Sequence, residues 1–109
     1  MSLLASTPKP PYVAVIFTSL RTPVDEGYAV TSDEMVAMAA KQPGYLGMES
    51  ARGADGLGIT VSYWDNMDSV RAWKAVAEHR TAQRLGREKW YQAYKTRICL
   101  VERDYGFEG

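Results

Sequence analysis

The stretch YVAVIFTSL, residues 12–20, limits the possible fold more than any other part of this chain. Tyr12, Ala14 and Ile16 alternate with Val13, Val15 and Phe17, so an extended segment here is apolar on both sides. Its β-branched and aromatic composition favours a strand, and double-sided apolarity places that strand in the middle of a sheet covered on both faces. A chain of 109 residues offers one core, so one domain is expected around this strand. The preceding STPKPP is stiffened by proline and has nothing to bury, which makes residues 1–11 a flexible tail.

Downstream of RTPVDEG, Tyr28, Thr31, Met35, Met38 and Ala39 recur at helical spacing. That helix stops at KQPG, because Pro43 cannot continue it and Gly44 frees the exit turn. YLGMESAR and GITVSYW then flank GADGLG, whose Asp55-Gly56 pair suits a tight connection between antiparallel strands. Asp65 or Asn66 is placed to cap a second helix starting near Met67, with a buried stripe of Val70, Trp73 and Ala77. Beyond Arg80 the apolar positions Ala82, Leu85, Gly86 and Ala93 are rotated by more than a right angle, which predicts a break near Glu78 to Arg80 and a further helical segment. YKTRICLVERDY closes the pattern as a strand with an apolar middle.

The order β-α-β-β-α-α-β defines an α+β chain on the ferredoxin-like split βαβ plan, an antiparallel four-stranded sheet with helices on one face. The domain is expected over residues 12–105, with 106–109 a short C-terminal tail. The uncovered sheet face would leave roughly several hundred Å² of apolar surface, more than a soluble monomer usually tolerates. Covering it stabilises an assembly by on the order of 10 kcal/mol before association costs. The expectation is a homodimer whose two sheets face each other in a dimeric α+β barrel.

Thirteen basic and thirteen acidic residues leave no net charge, so the basic excess that drives nucleic-acid binding is missing. The charges are segregated nonetheless. Residues 1–70 carry four basic and eight acidic groups, and residues 71–109 carry nine and five. That is a solvated basic helix face, a surface for a second subunit, or a funnel for an anionic ligand. Cys99 stands alone, excluding an intrachain disulfide and a thiolate metal cluster, and its apolar neighbours suggest a small buried hydrophobe. No segment has the form of a secretory signal or the ~20 apolar residues of a membrane span, so a cytoplasmic setting without membrane association is expected.

One histidine and one cysteine cannot build a zinc tetrad or a two-histidine iron site, and no P-loop or nucleophile-elbow motif occurs. No metal or cofactor is expected. What remains is a pocket of aromatic side chains with one imidazole. His79, Gln83, Gly86 and Trp90 fall at i, i+4, i+7 and i+11, as one wall of a pocket would. His79 could shuttle a proton near neutral pH while an arginine such as Arg80 holds an enolate or phenolate; equally, His79 could cap carbonyls at a helix end. Trp64, Trp73 and Trp90 could each fill the core or stack on a planar aromatic ligand.

The motifs PGYLG, SYW, AW followed by EH, AQRLGREKWY and VERDY occur in an order that resembles the antibiotic biosynthesis monooxygenase family, over the span from the first strand to Tyr105. The resemblance implies a dimeric α+β barrel. Its members include oxygenases that act on aromatic polyketides without a cofactor, the deprotonated substrate giving its own electron to dioxygen, and Trp64, Trp73 and Asn66 are of the residue types those enzymes use. It implies a cofactor-free monooxygenase of a small planar aromatic or quinol-like compound; taken with the one-sided helix pattern, the expectation is His79 as the catalytic residue and Trp64, Trp73, Arg80, Gln83 and Trp90 around the substrate. The alternatives are a ligand-binding or structural dimer without activity, and a haem-binding or haem-degrading member. The haem-degrading type carries an asparagine on the first strand, and YVAVIFTSL has none.

Overall fold

A computed structural model of the chain describes residues 3–83 and 89–107, without the side chains of 82 and 83. Its elements are β1 (Tyr12–Arg21), α1 (Tyr28–Ala40), β2 (Tyr45–Arg52), β3 (Leu57–Trp64), α2 (Met67–Gln83) and β4 (Tyr91–Val101). The strands form one sheet in the order β2-β3-β1-β4, antiparallel at every pairing. This is the α+β, ferredoxin-like arrangement, and the doubly apolar β1 is an interior strand. In register, Val13 faces Trp64 on one side and Leu100 on the other.

That register sorts the side chains by face. Val13, Val15, Phe17 and Ser19 share the helix-covered face with Thr60, Ser62 and Trp64, while Ile16, Leu20, Ile59 and Val61 occupy the outer face. The core gathers Val13, Ala39, Trp64 and Val70, with Val15, Tyr45, Met48 and Trp73 packed against it. Ala39 is fully buried, and a residue this small lets α1 lie close to the sheet.

The helix boundaries have local causes. The Asn66 side chain accepts a hydrogen bond from the Ser69 N–H at 2.9 Å, satisfying a donor in the first turn of α2. Asp65 instead accepts the Ser69 hydroxyl at 2.7 Å. Gly44 ends the turn after α1 at φ +85°, and any side chain there would run into Asp65 and Ser69 within 2.2 Å.

Two expectations need revision. First, α2 continues through Glu78 to Arg80 as far as Gln83, so no break occurs there. The stripe of Val70, Trp73 and Ala77 continues in phase at Thr81, whose hydroxyl donates to the Ala77 carbonyl at 2.8 Å. The further helical segment falls mostly on residues 84–88, outside the described residues, although Lys89 and Trp90 are helical. Second, Cys99 is exposed rather than buried, because β4 is an edge strand and the outer sheet face carries no helix. In the segment before Tyr12, the Ala5 N–H donates to Glu49 Oε2 at 3.0 Å, and the Thr7 hydroxyl donates to that of Tyr12 at 3.1 Å. Among the described residues no helix is long and apolar enough to cross a membrane.

Candidate functional site

A cavity of about 440 Å³ lies between the helices and the sheet. Its floor is Val15 and Phe17 of β1, Met48, Ser50 and Arg52 of β2, Thr60 and Ser62 of β3, and Tyr94, Thr96 and Ile98 of β4. Tyr28, Thr31, Ser32, Met35 and Val36 of α1 make one wall. Val70, Trp73, Lys74, Ala77, Glu78 and Thr81 of α2 make the other, one helical face at spacings of three and four. Trp90 and Tyr91 close the end. The helical layer stops short of β4, where Tyr94 is 41% and Ile98 45% exposed, so the cavity opens over that strand.

The two ends differ in chemistry. At the end nearer the core, Trp73 stacks on Trp64 with ring centres 5.9 Å apart and an angle of 21°. Trp64 itself is fully buried and its indole N–H donates to the Ser62 hydroxyl at 2.9 Å. The opposite end is polar. Arg52 donates through Nη2 to the Ser19 hydroxyl at 2.8 Å and through Nη1 to the carbonyls of Ser19 and Gly56. Its guanidinium lies flat over the buried Gly58, where a Cβ would come within 2.4 Å of Cζ.

Beside Arg52, the Tyr28 hydroxyl sits 3.5 Å from Nη2 and 3.5 Å from the Tyr91 hydroxyl. The Arg21 guanidinium covers the Tyr28 ring at 3.3 Å from its centre, and Arg21 is also paired with Asp25 at 3.0 Å. Trp90 is anchored by its indole N–H to the Glu26 carbonyl at 2.9 Å and packs edge-on against Tyr28. Burial pushes the Tyr91 phenol well above its ordinary value; the hydrogen bond to Tyr28 adds to this, and Arg52 and Arg21 pull weakly the other way. Tyr91 therefore stays protonated and able to donate at any physiological pH.

Of the residues singled out in the sequence, Trp73 and Trp90 line the cavity. Trp64 does not: it backs Trp73 from within the core. His79 is exposed on α2, and neither it nor Arg80 is among the described residues of the wall. Arg80 lies 3.8 Å from Glu34 of α1. The side chain of Gln83 is outside the described residues. The wall follows the phase of Val70, Trp73, Ala77 and Thr81, and His79 lies off that line. Arg52, Tyr28 and Tyr91 were not anticipated. Their sequence signal was faint: the alternation Met48, Ser50, Arg52 on β2, with Gly58 directly opposite Arg52. Among the described residues no cluster of histidine, cysteine and carboxylate side chains could hold a metal ion.

The sequence profile of the antibiotic biosynthesis monooxygenase family matches residues 11–85. The chain is 50% identical over 108 residues to the uncharacterised protein YqjZ of Bacillus subtilis (strain 168), an alignment covering 99% of this chain and 95% of that one. The fold is similar to that of SnoaB, a cofactor-independent oxygenase from Streptomyces nogalater, with a TM-score of 0.66 at 13% identity over 92% of this chain and 100% of SnoaB. PA3566 from Pseudomonas aeruginosa is similar at a TM-score of 0.67 and 18% identity, over 89% of this chain and 98% of the other. At such identities these structures speak for the fold alone. The profile match, spanning well over half the sequence, carries the assignment: this chain belongs to the antibiotic biosynthesis monooxygenase family.

Proposed function

We propose that the cavity binds a small planar aromatic or quinol-like compound bearing ring oxygens, and that the protein mono-oxygenates it with dioxygen, without metal or flavin. The observation that carries this reading is the cavity wall: Phe17, Trp73, Trp90, Tyr91 and Tyr94 offer ring faces and edges around about 440 Å³, with Arg52 and the Tyr28 and Tyr91 phenols together at one end. A space of this size takes a drug-sized molecule, and such a lining favours a flat, apolar one. The family membership and the similarity to SnoaB, itself a cofactor-independent oxygenase, support the reaction type.

For an anthrone, the chemistry balances with dioxygen alone. Loss of a proton from the ring CH₂ leaves an enolate, whose electrons reduce dioxygen as a C–O bond forms at that carbon. Loss of water then leaves a second carbonyl, so one anthrone and one dioxygen give one anthraquinone and one water. The chain's part is to hold the ring flat between Trp73 and the sheet and to stabilise the oxygen anion at the polar end. The proton leaves to water through the open side over β4. The shuttle role expected of His79 has no place in this scheme, since its imidazole does not line the cavity. The same placement gives the haem alternative no support, because His79 is the chain's one histidine.

The test is oxygen uptake with anthrone, corrected for spontaneous oxidation. One dioxygen consumed per anthraquinone, with no peroxide released, is the expected result, abolished in Trp73→Ala and retained in His79→Ala. Equal rates with and without protein, alongside tight binding of the ring, would leave the ligand-binding reading in its place.

We propose as well that two copies pair through the outer sheet face. Leu57 and Ile59 are each 46% exposed there, beside the half-buried Ile16, Leu20 and Val61. Such a face is better covered than wet. A lone thiol at Cys99 suits a reducing, cytoplasmic setting.

A further inference from the structure

The polar end of the cavity holds a positive charge that no carboxylate among the described residues answers. The hydrogen-bond partners of the Arg52 guanidinium among the described residues are neutral: the carbonyls of Ser19 and Gly56 and the hydroxyls of Ser19 and Tyr28. Among the described residues no carboxylate pairs with it. The other charged groups of the wall, Lys74 and Glu78 on α2, lie 3.8 Å apart and offset each other. Nearby, Arg21 is matched by Asp25. Among the described residues of the wall, the charge left unmatched is that of Arg52.

The side chain is also fixed. A free arginine loses considerable rotamer freedom when held, and here Gly58, lacking a Cβ, lets the guanidinium lie against the backbone while Ser19 grips it. Next to it, the spacings of 3.5 Å from Arg52 to Tyr28 and from Tyr28 to Tyr91 exceed the 2.5–3.2 Å of ordinary hydrogen bonds. The three groups satisfy one another poorly, and the two phenols can turn toward an atom that the fixed guanidinium faces. A negatively charged oxygen among them would receive charge-assisted hydrogen bonds from a guanidinium and two phenols.

We infer that Arg52, Tyr28 and Tyr91 form a binding site for an oxygen anion conjugated with the aromatic ring of the ligand, a phenolate or enolate. This rests on the cavity being the ligand site and adds which side chains hold the anion there. Arg52 supplies the charge. Tyr91, kept protonated by its burial, supplies a donor, and Tyr28 supplies a second. The site shifts the ligand's acid equilibrium toward the anion that dioxygen can oxidise.

The experiment uses two redox-inert probes and the full chain. Anthraquinone has no acidic proton and reports binding of the ring through quenching of tryptophan fluorescence. 1,8-Dihydroxyanthraquinone, the same ring system with two phenols, changes colour when a phenol ionises, so absorbance against pH reads that equilibrium directly in the bound state. The expected result is ionisation about one pH unit lower when bound than when free, an effect of one nearby cation partly screened by solvent. Arg52→Gln should abolish the shift while anthraquinone still binds. Arg52→Lys should restore part of the shift, and Tyr28→Phe should reduce it.

Failure of either probe to bind would overturn both the cavity reading and this one. Binding of both, with the phenol ionising at the same pH bound as free, or with the shift untouched in Arg52→Gln, would overturn the anion site and leave the cavity reading standing.

Discussion

The Tyr91 hydroxyl lies 3.5 Å from that of Tyr28, with the ring centres 6.0 Å apart at an angle of 81°. Residues 63 positions apart in the chain thus join the start of α1 to the start of β4 across the polar end of the cavity. Tyr91→Phe keeps the ring and removes only the donor. Because that contact is long, stability measured by urea unfolding should fall by no more than about 1 kcal/mol. Binding of an aromatic phenolate should weaken several-fold, with neutral anthraquinone unaffected. A loss of stability well beyond that range would show that the phenol holds the fold together instead of serving the ligand.

The fold was legible because its signals are local. The double apolarity of β1 located an interior strand, the spacing from Tyr28 to Ala39 located α1, and the short acceptor at Asn66 caps α2 as its side chain allows. The site was legible only in part. Trp73 and Trp90 were identifiable as rings able to meet a ligand, but nothing in the sequence distinguishes Trp64, which register directs into the core. His79 and Arg80 lie off the phase of Val70, Trp73, Ala77 and Thr81 that lines the cavity, and the face that would join His79 to Trp90 runs through residues 84–88, outside the described residues. Arg52 and Tyr28 were missed because their meeting depends on how the β2–β3 hairpin and the end of β1 come to lie beside α1. That is a tertiary relation without a motif.

Gly58→Ala tests whether the flat seat of Arg52 matters. The new methyl would stand 2.4 Å from Cζ, so the guanidinium must leave its position. The Ser19 hydroxyl, on a residue 2% exposed, then loses its donor. A destabilisation of about 1–2 kcal/mol is expected from that buried group. The variant should also lose the phenol ionisation shift seen with 1,8-dihydroxyanthraquinone, although Arg52 is still present. An unaltered shift would mean that the guanidinium works equally well from another position.

Alkaline unfolding should report the Tyr63 phenol. Burial, with the Glu49 carboxylate that accepts its hydrogen bond at 2.6 Å, pushes this group from 10.0 up to about 12. A raised acid of this kind lends stability that is fully present below pH 10, where the unfolded phenol would begin to ionise, and is lost as pH rises toward 12. The ring is partly solvated, so the amount is on the order of 1 kcal/mol, not the full linkage value. Urea midpoints at half-unit steps across that window should fall less steeply for Tyr63→Phe than for the native chain. Parallel curves would show that other groups govern the alkaline limit.

Asn66→Ala removes the acceptor for the Ser69 N–H. Asp65 is already engaged by the Ser69 hydroxyl and is one residue too early to substitute for it without shifting the helix start. The expected cost is about 1 kcal/mol, seen as a fall of several degrees in the thermal midpoint. Asn66→Asp should retain most of the stability, because a carboxylate accepts the same bond and suits the positive end of the helix. If Asp and Ala at this position behave alike, the cap is not what fixes the start of α2.

The outer sheet face gives the most decisive test of assembly, because one substitution has opposite consequences in a monomer and a dimer. Ile59 is 46% exposed in the isolated chain and lies on the face away from the helices. In a monomer Ile59→Glu places a carboxylate in water and removes a partly wet hydrocarbon, a change within about 0.5 kcal/mol. In a face-to-face dimer the two-fold axis brings Ile59 of each copy toward the same buried layer, so Ile59→Glu puts a pair of carboxylates into apolar surroundings. Sedimentation should then show a native dimer at micromolar concentration and a substituted chain that is monomeric or several kcal/mol less stable in association. Ser50→Glu, on the helix-side face with its hydroxyl 2.7 Å from that of Thr60, serves as the control and should leave the dimer intact. A native chain that sediments as a monomer, with Ile59→Glu neutral, would refute the paired-sheet assembly while leaving the cavity and its anion site to be judged on their own measurements.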